Sequence, residues 1–599
     1  MTDVPAHYGA LLAERRASAA AAARRTRWLS NARLAVFATG LGVAWLAFWA
    51  GRVSGGWLAP LAAGFVALVL RHEAARRDEL RARRGVEFYE RGLARLGLLD
   101  APWGNTGERH ADPAHPYAAQ LDLFGPGSLF ALLSQAQTAS GQARLAGWLL
   151  EAAAPDEVRA RQQAAEELRP RLALREDWFS AGPEVREGVH PESLVAWATA
   201  PARLAGSASR VALAALGLAT ACALVAAFVW TETTPALLVL GLAEGAVMVV
   251  LGRRVTAVLH AIEPRARDLA QLAVLLARVE RERFASPRLV ALRAALDTDG
   301  EPASRQIAQL HRIVSVLDWR RNQLFAPIAL VLLWGAQGAY ALEAWRARCG
   351  AGVARWLETL GELEALSDLA GYAFEHPDDP FPEVCDGGPL FDAEQLGHPL
   401  IDEGRCVRND LCLDASHALV VVSGSNMSGK STFLRSVGTA LVMALAGAPV
   451  RAARLRVSPL ALGAVLQVVD SLRDGASRFW AELQALRRVV DRCTGQFPLL
   501  FLLDEILSGT NSHDRRIGAE ALLRELLRRG AIGLVTTHDL ALTAIADELA
   551  PRARNAHFED QVANGVLHFD YRLREGVIAR GNALALMRAV GLDFADPQG

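Results

Sequence analysis

A glycine-rich loop between an apolar run and a helical pattern leaves few folds open to this chain. Residues 418–422 read Ala-Leu-Val-Val-Val, and residues 432–446 have the pattern of a helix. Between them, residues 424–431 read Gly-Ser-Asn-Met-Ser-Gly-Lys-Ser, which is G-x-x-x-x-G-K-S in a strand–loop–helix context. Glycines at such a turn let backbone N–H groups converge on phosphate oxygens at the start of a helix. The loop therefore predicts a parallel α/β nucleotide-binding domain.

The basic residues single out one position in this loop. Lysine and arginine together number 64, yet Lys430 is the only lysine. The arginine guanidinium is broad and planar, whereas lysine carries a compact ammonium at the end of a narrow aliphatic chain. We therefore expect Lys430 to place a point charge in a tight space, on the β- and γ-phosphate oxygens of ATP, with Ser431 as a Mg²⁺ ligand. The residues predicted to bind the nucleotide here are Gly424, Ser425, Asn426, Met427, Ser428, Gly429, Lys430, Ser431 and Thr432.

Two further strands supply candidate catalytic groups. Residues 497–503 form a continuous apolar run, as in a strand buried on both faces, and the run ends in Asp504-Glu505. Carboxylates at the C-terminal end of such a strand lie in the crevice that holds a nucleotide. We predict that Asp504 holds Mg²⁺ and that Glu505 polarises the attacking water; the alternative is two acids that merely end a strand. His538 follows the next strand, as a γ-phosphate sensor or as the cap of the following helix.

Four apolar stretches predict two membrane hairpins. Residues 34–50 pair with 57–70, and residues 211–230 pair with 235–251. The second leg is short against the roughly 20 residues that span a bilayer, so a buried soluble helix pair is the alternative for the first hairpin. Arginines crowd the outer ends of both hairpins, which predicts a multi-pass protein of a bacterial-type inner membrane with both termini and the ATPase domain in the cytoplasm. Glu244 is either a functional intramembrane carboxylate or lies in a tilted, interfacial leg.

The remaining sequence predicts helices and one domain boundary. Residues 119–200 and 255–372 carry apolar side chains at three-to-four spacing, typical of long packed helices. The apolar run at 324–336 is too short to span a membrane and is expected in a soluble core. Residues 375–388, rich in Pro, Asp and Gly, mark a boundary. The predicted units are an Ala/Arg-rich helix (1–30), a transmembrane hairpin (31–72), a helical lever-like region (73–204), a second transmembrane hairpin (205–254), a helical core (255–375) and a P-loop ATPase domain (376–599).

Charge and cysteine content restrict the partners. The formal charge of −1 gives no overall basic surface, so nucleic-acid binding would need a local patch. The six cysteines form no C-x-x-C pair, which argues against a zinc site or a disulfide framework and fits a reducing cytosol.

Several segments resemble the ATPase domain of the MutS family of DNA mismatch repair proteins. Residues 424–431 resemble its G-x-N-M-x-G-K-S loop, including Asn426 and Met427, and residues 504–510 resemble its D-E-I-x-x-G-T. Residues 477–482 resemble its S-x-F-x-x-E segment, and Thr537-His538 resembles its T-H switch. Weaker matches are Gly397-His398-Pro399-Leu400, Tyr571-Arg572-Leu573 with Gly576, and residues between Ser128 and Gln162 that resemble the start of the family's helical lever.

The resemblance implies an ABC-type fold that binds ATP and Mg²⁺. It implies catalytic roles for Lys430, Glu505 and His538, and a nucleotide contact for His398. It also implies a homodimer in which Ser477 reaches the γ-phosphate bound to the other subunit, with DNA as a partner. The predicted membrane hairpins imply a lipid bilayer as a further partner.

Departures from the family leave alternatives open. The family's Phe-x-Glu mismatch wedge has one formal match, Phe88-Tyr89-Glu90, in a helical stretch where chance is favoured; no DNA clamp or C-terminal helix-turn-helix is evident. One hypothesis is a membrane-anchored MutS-like ATPase whose helical arms bind mismatched or branched DNA. A second is a MutS-derived membrane ATPase without DNA binding. A third is an ABC-type exporter, because Leu507-Ser508-Gly509 resembles the start of the transporter signature, although it follows the Asp-Glu strand instead of preceding it.

Overall fold

The computed structural model describes most of the chain. The described residues are 3–181, 191–204, 206–227, 230, 234–262, 269–298, 300–323, 325–425, 428–466, 478–508, 510–538, 540–563 and 566–577. They form a helical N-terminal region followed by an α/β sheet domain, as predicted.

The chain begins with a long helical hairpin. Helix α1 (Val4–Phe48) and helix α2 (Leu58–Arg95) pack along each other and are joined by residues 49–57. The predicted N-terminal helix (1–30) and the first leg of the predicted hairpin lie on one helix, because α1 continues through residue 30 without a break. No glycine or proline stands between Thr26 and Leu34 to end the helix. With 45 residues, α1 is roughly 68 Å long at the usual helical rise.

A helical core follows, interrupted by a second hairpin. Its first helices are α3 (Leu129–Leu133), α4 (Ala139–Leu150), α5 (Pro155–Leu168), α6 (Leu172–Ala181) and α7 (Pro191–Thr199). The second hairpin is α8 (Ser207–Ala227) and α9 (Thr234–Ile262). The core resumes with α10 (Leu269–Glu280), α11 (Pro287–Ala295), the two-residue strands β1 (Asp297–Thr298) and β2 (Glu301–Pro302), α12 (Ala303–Asp318), α13 (Ala326–Val331) and α14 (Trp334–Glu375).

Helix α14 organises this core. Its 42 residues pack against α4, α5, α7 and α12, and Trp345 and Trp356 are among the largest fully buried side chains. Two buried acids on α14 anchor the turn before α4: the Glu364 carboxylate accepts bonds from the Gln137 and Thr138 amides, and Asp368 accepts one from the Gln135 amide. Burial raises the pKa of Glu364 to about 7. The turn is thereby fixed to α14.

Both hairpins contain helices that could cross a membrane. In the described part of the chain, α1, α2, α8 and α9 are long and apolar enough to do so by length and composition. Large apolar side chains on these helices are exposed, including Phe48 at 79%, Leu242 at 75% and Val249 at 84%.

The base of the first hairpin is attached to the end of α14. Arg95 forms a two-pronged ion pair with Glu375, with Nε–Oε2 and Nη2–Oε1 distances of 2.8 and 2.5 Å, and both side chains are 1% exposed. The Tyr8 hydroxyl donates to the same carboxylate at 3.2 Å. Phe88 and Tyr89, the formal wedge match, are buried here against α1 and α6. They pack the core, so the wedge match is accidental.

Replacing Arg95 with alanine is expected to lower the free energy of unfolding by about 3–5 kcal/mol, because Glu375 would remain buried without its counter-charge. Arg16→Ala is the matched control: Arg16 also pairs with a glutamate, Glu90 at 2.7 Å, but its side chain is 57% exposed. Its loss should cost no more than about 1 kcal/mol. Denaturant unfolding of the purified variants measures both values, and equal losses would contradict a special role for the buried pair.

The C-terminal domain contains two sheets. The strands are β3 (Glu383–Val384), β4 (Leu390–Leu396), β5 (Asn409–Asp414), β6 (Leu419–Ser423), β7 (Arg454–Val457), β8 (Ala461–Val465), β9 (Leu499–Asp504), β10 (Ile532–Thr537), β11 (Ala553–Ala563) and β12 (Val566–Glu575). The helices are α15 (Lys430–Ala446), α16 (Arg478–Asp491), α17 (Ser512–Arg528) and α18 (Leu540–Glu548). The six-stranded sheet has the order β12-β11-β6-β10-β9-β8, in which only β12 is antiparallel to its neighbour.

The second sheet was not predicted from the sequence. Its order is β3-β7-β4-β5, and β4 is antiparallel to both β5 and β7. In the larger sheet, the strand before the loop, β6, and the strand before the acids, β9, both pair with β10. Because all three are parallel, their C-terminal ends meet at one edge.

The expectation that residues 324–336 belong to a soluble core is wrong in part. Leu333 and Ala336 are buried, but Ile328 and Leu330 on α13 are 51% and 70% exposed. Residues 325–333 form a short helix and a turn before α14, and these two side chains are left uncovered.

Candidate functional site

The loop after β6 has the shape that its glycines predict. Gly424 and Gly429 have φ values of +150° and +99°, and α15 begins directly after Gly429. A Cβ at Gly424 would lie 2.8 Å from Ser428 Oγ, and one at Gly429 would lie 2.9 Å from Tyr571 Cδ1. Both positions therefore need glycine for conformation and for space. The Ser428 hydroxyl donates to the Ser425 carbonyl at 2.8 Å, which closes the loop.

Lys430 curls back over this loop. Its side chain is 4% exposed, and Nζ donates to the carbonyls of Gly424 and Ser425 at 2.8 and 2.6 Å. The same Nζ lies 3.9 Å from Glu505 Oε1. The lone ammonium of the chain is thus buried at the mouth of the loop, beside the predicted catalytic acid.

Ser431 and Asp504 form a small cluster of oxygen atoms. The Ser431 hydroxyl donates to Asp504 Oδ2 at 2.5 Å, and the Thr536 hydroxyl donates to the other carboxylate oxygen. A hydroxyl beside a carboxylate at a phosphate loop is the donor set that Mg²⁺ takes together with phosphate oxygens and water. The two residues predicted to hold the metal are therefore adjacent.

Glu505 is held at the end of β9 by its backbone. Its amide donates to the Thr536 carbonyl and hydroxyl, both at 3.2 Å, and its φ is +47°. Its carboxylate is 3.5 Å from His538 Nδ1, in addition to its contact with Lys430. His538 is half-exposed at the end of β10. Glu505 and His538 follow the ends of β9 and β10, and Lys430 follows the loop after β6. The three side chains converge on one point.

Three residues that support this geometry were not assigned roles from the sequence. Thr536 joins Asp504 to the Glu505 backbone; a polar residue at the end of a parallel strand was its only signal. Glu482 is buried on α16 and accepts a bond from the Leu507 amide. Arg515 donates to the carbonyls of Leu507, Ser508 and Thr510 at 3.1 to 3.3 Å, so it braces the turn after Glu505. No local pattern marks Arg515.

A cleft of about 670 Å³ opens next to the loop. His398, Phe433 and Tyr571 line it together with residues 429–432, which include Thr432. His398 is buried, and burial, aided by the nearby Arg435 and Arg451 guanidinium groups, lowers its pKa to about 4. Its Nδ1 accepts the Leu400 amide at 3.2 Å, so the neutral ring carries its proton on Nε2. His398 therefore presents a neutral surface to the cleft at ordinary pH.

The far wall of the cleft is fixed by Asn409. Its side chain donates to the Tyr571 carbonyl at 3.0 Å and accepts the Leu573 amide at 2.7 Å, which holds Tyr571 at a φ of +55°. Three predicted site residues, Asn426, Met427 and Ser477, lie outside the described residues.

Comparison with known proteins finds a family match for the C-terminal domain. Residues 420–593 match the family model of MutS domain V. Endonuclease MutS2 of Thermus thermophilus is 31% identical over 253 residues, which are 40% of this chain and 31% of that protein. DNA mismatch repair protein MutS 2 of Halobacterium salinarum is 32% identical over 39% of this chain and 27% of its own length, and DNA mismatch repair protein MutS of Natronomonas pharaonis is 33% identical over the same shares. The chain thus matches less than a third of the length of these curated relatives.

Proposed function

Because the chain belongs to the MutS family through its C-terminal domain, we propose that it is a membrane-anchored, MutS-type ATPase that closes as a dimer on ATP. The observation that carries this proposal is the meeting of a buried Lys430, the Ser431–Asp504 pair at 2.5 Å and Glu505 at one sheet edge. That arrangement requires β6, β9 and the loop to be in register. If the two acids merely ended a strand, no such register would be required.

Each residue of the site has a distinct task in this proposal. The backbone of residues 424–429 and Lys430 bind the β- and γ-phosphates of ATP. Ser431 and Asp504 hold Mg²⁺, which would offset charge on those phosphates. Glu505 accepts a proton from the attacking water, and His538, 3.5 Å away, orients that carboxylate and senses the γ-phosphate. His398 and Thr432 line the cleft that takes the rest of the nucleotide.

The dimer is supported by the position of α16. This helix starts directly after Ser477, the residue that the family resemblance places against the partner's nucleotide. Glu482 on α16 bonds the Leu507 amide, two residues beyond Glu505. A contact between Ser477 and a second subunit would therefore act on the catalytic turn through one short helix.

The structure disfavours the exporter hypothesis. In ABC exporters the signature segment meets the partner's nucleotide, which requires exposure. Leu507, at the start of the transporter-like tripeptide, is 6% exposed, and its amide and carbonyl are bound by Glu482 and Arg515. This segment supports its own catalytic turn and does not present a docking surface.

The deciding experiment is the ATPase activity of the detergent-solubilised protein with and without homoduplex, mismatched and branched DNA. We expect Mg²⁺-dependent hydrolysis, with stimulation by mismatched or branched DNA if the helical arms bind it. Hydrolysis that no DNA changes, together with no DNA binding, would favour the MutS-derived ATPase without DNA binding. Failure to hydrolyse ATP under every condition would contradict the proposal itself.

A further inference from the structure

Residues 325–333, before α14, form an apolar tip. They include helix α13, and a turn of 3-10 helix (Trp319–Arg321) follows α12 at the base of the tip. From Phe325 to Leu333 the sequence is Phe-Ala-Pro-Ile-Ala-Leu-Val-Leu-Leu, without a charge. Ile328 and Leu330 are 51% and 70% exposed on α13, on either side of the buried Ala329. A tip that exposes such residues needs an apolar partner.

Two contacts place the tip beside the second hairpin. Gln337 donates to the carbonyl of Arg210, at the start of the apolar leg of α8, at 3.4 Å. Five residues earlier, the Leu332 backbone lies 3.1 Å from where a Cβ on Gly217 would be. The chain from 337 back to 332 thus follows α8 from Arg210 to Gly217, roughly 10 Å along the leg at the helical rise. The tip is level with residues of α8 that the proposed anchor puts in the bilayer.

The neighbouring residue of α8 points to the same surroundings. Leu218 is 62% exposed directly after Gly217, and Val211 at the start of the leg is 68% exposed. A hydrocarbon layer that covers these side chains also reaches α13, which packs against α8. The exposed face of α13 therefore continues the apolar surface of the hairpin.

Aromatic residues mark the base of the tip. The ring of Phe325 lies between Trp319 and Trp334, with centroid separations of 6.1 and 5.3 Å, and Trp319 is 58% exposed. The Trp334 indole donates to the Val316 carbonyl at 3.0 Å, which ties the base to α12.

The base also contacts α9. A Cβ at Gly335 would lie 3.7 Å from Leu259 Cδ1. Leu259 belongs to the buried part of α9, which follows the exposed Arg253 and Arg254. Tryptophans at the junction of an apolar tip and an arginine-bearing base are typical of the membrane–water interface.

We propose that residues 325–333 are a lipid-facing re-entrant element: they enter the cytoplasmic leaflet beside α8 with Ile328 and Leu330 against acyl chains, and return without crossing. This inference rests on the membrane anchor of the proposed function. It gives the protein a fifth membrane contact, and this one belongs to the helical core itself, because α14 begins at the tip and ends at the ATPase domain. Insertion of the tip is thereby linked to the position of α14.

The test is spin-label accessibility on the full-length chain, with its native cysteines replaced, in phosphatidylethanolamine–phosphatidylglycerol nanodiscs. Labels go on Leu330→Cys, on Leu242→Cys in α9 as the lipid reference, and on Val290→Cys, 47% exposed on α11, as the aqueous reference. We expect the label at 330 to be accessible to oxygen and shielded from a water-soluble nickel chelate, as at 242 and unlike at 290.

Each other outcome overturns the inference in a distinguishable way. A label at 330 that behaves like the one at 290, while 242 stays in lipid, removes the re-entrant element and leaves the anchor standing. Aqueous behaviour at both 330 and 242 removes the anchor and the inference together. Shielding of 330 from both reagents means that protein covers the tip. If the cysteine-free chain does not fold, hydrogen exchange of the unaltered protein in nanodiscs replaces the labels, and amides of 326–333 that exchange as fast as those of α11 would refute the proposal.

Discussion

Replacing Lys430 with alanine will weaken ATP binding severely. Lys430 is the only lysine of the chain. Its side chain is 4% exposed, and its ammonium group lies where it can bond the β- and γ-phosphates. Charge-assisted hydrogen bonds contribute about 1.5–3 kcal/mol each, so losing two weakens affinity roughly 100-fold or more. Titration of the purified variant with a fluorescent ATP analogue measures the affinity, and phosphate release measures turnover, which should be undetectable.

The matched control for this change is Arg528→Ala. It removes the same charge from an exposed side chain of α17, remote from the phosphate loop, and should leave binding and turnover unchanged. Thermal unfolding of both variants shows whether the fold persists. Normal ATPase activity in the Lys430 variant would mean that the nucleotide binds elsewhere.

Replacing Glu505 with glutamine will separate binding from hydrolysis. The amide keeps the size of the carboxylate and the backbone bonds to Thr536, but it cannot take a proton from water. General-base catalysis is typically worth about 10²–10⁴-fold, so turnover should fall by about that factor. ATP affinity should stay within a few-fold of the original. Because the site would hold ATP without consuming it, the dimer should accumulate, which light scattering after size-exclusion chromatography would detect.

Glu520→Gln is the control for this second change. It makes the same replacement on α17 at a residue whose partner is the exposed Arg524, so turnover should be unaffected. If the Glu505 variant hydrolyses ATP at the normal rate, another group activates the water, and Glu505 serves only to position Lys430 and His538.

Features that depend on residues close together in the sequence were predicted well. The strand, loop and helix from Leu419 to Ala446 lie where the sequence indicates, because positive φ at Gly424 and Gly429 and the helix start at Lys430 are local properties. The buried strand that ends at Asp504 was recognised for the same reason, since a run of apolar residues on both faces is legible without a partner. Charge and apolar length likewise identified four long helices.

Predictions that depended on where a segment ends or what covers it were weaker. The composition changes at residue 30 but helix propensity does not, and propensity decides whether a helix continues, so α1 runs through that position. The sequence predicts a soluble core for residues 324–336, because an apolar run looks the same whether protein or lipid surrounds it. Their exposed side became apparent only with α8 and α14 in place.

By itself the sequence determined the chemistry: a phosphate loop with one lysine, an acidic pair after a buried strand, and a histidine after the next strand. Only the tertiary structure decided how they meet. Strand β10 lies between β6 and β9, so Thr536 bonds both Asp504 and the Glu505 amide, and His538 reaches Glu505. The physical reason is that strand order arises from pairing between residues far apart in the chain, which no local pattern of side chains records.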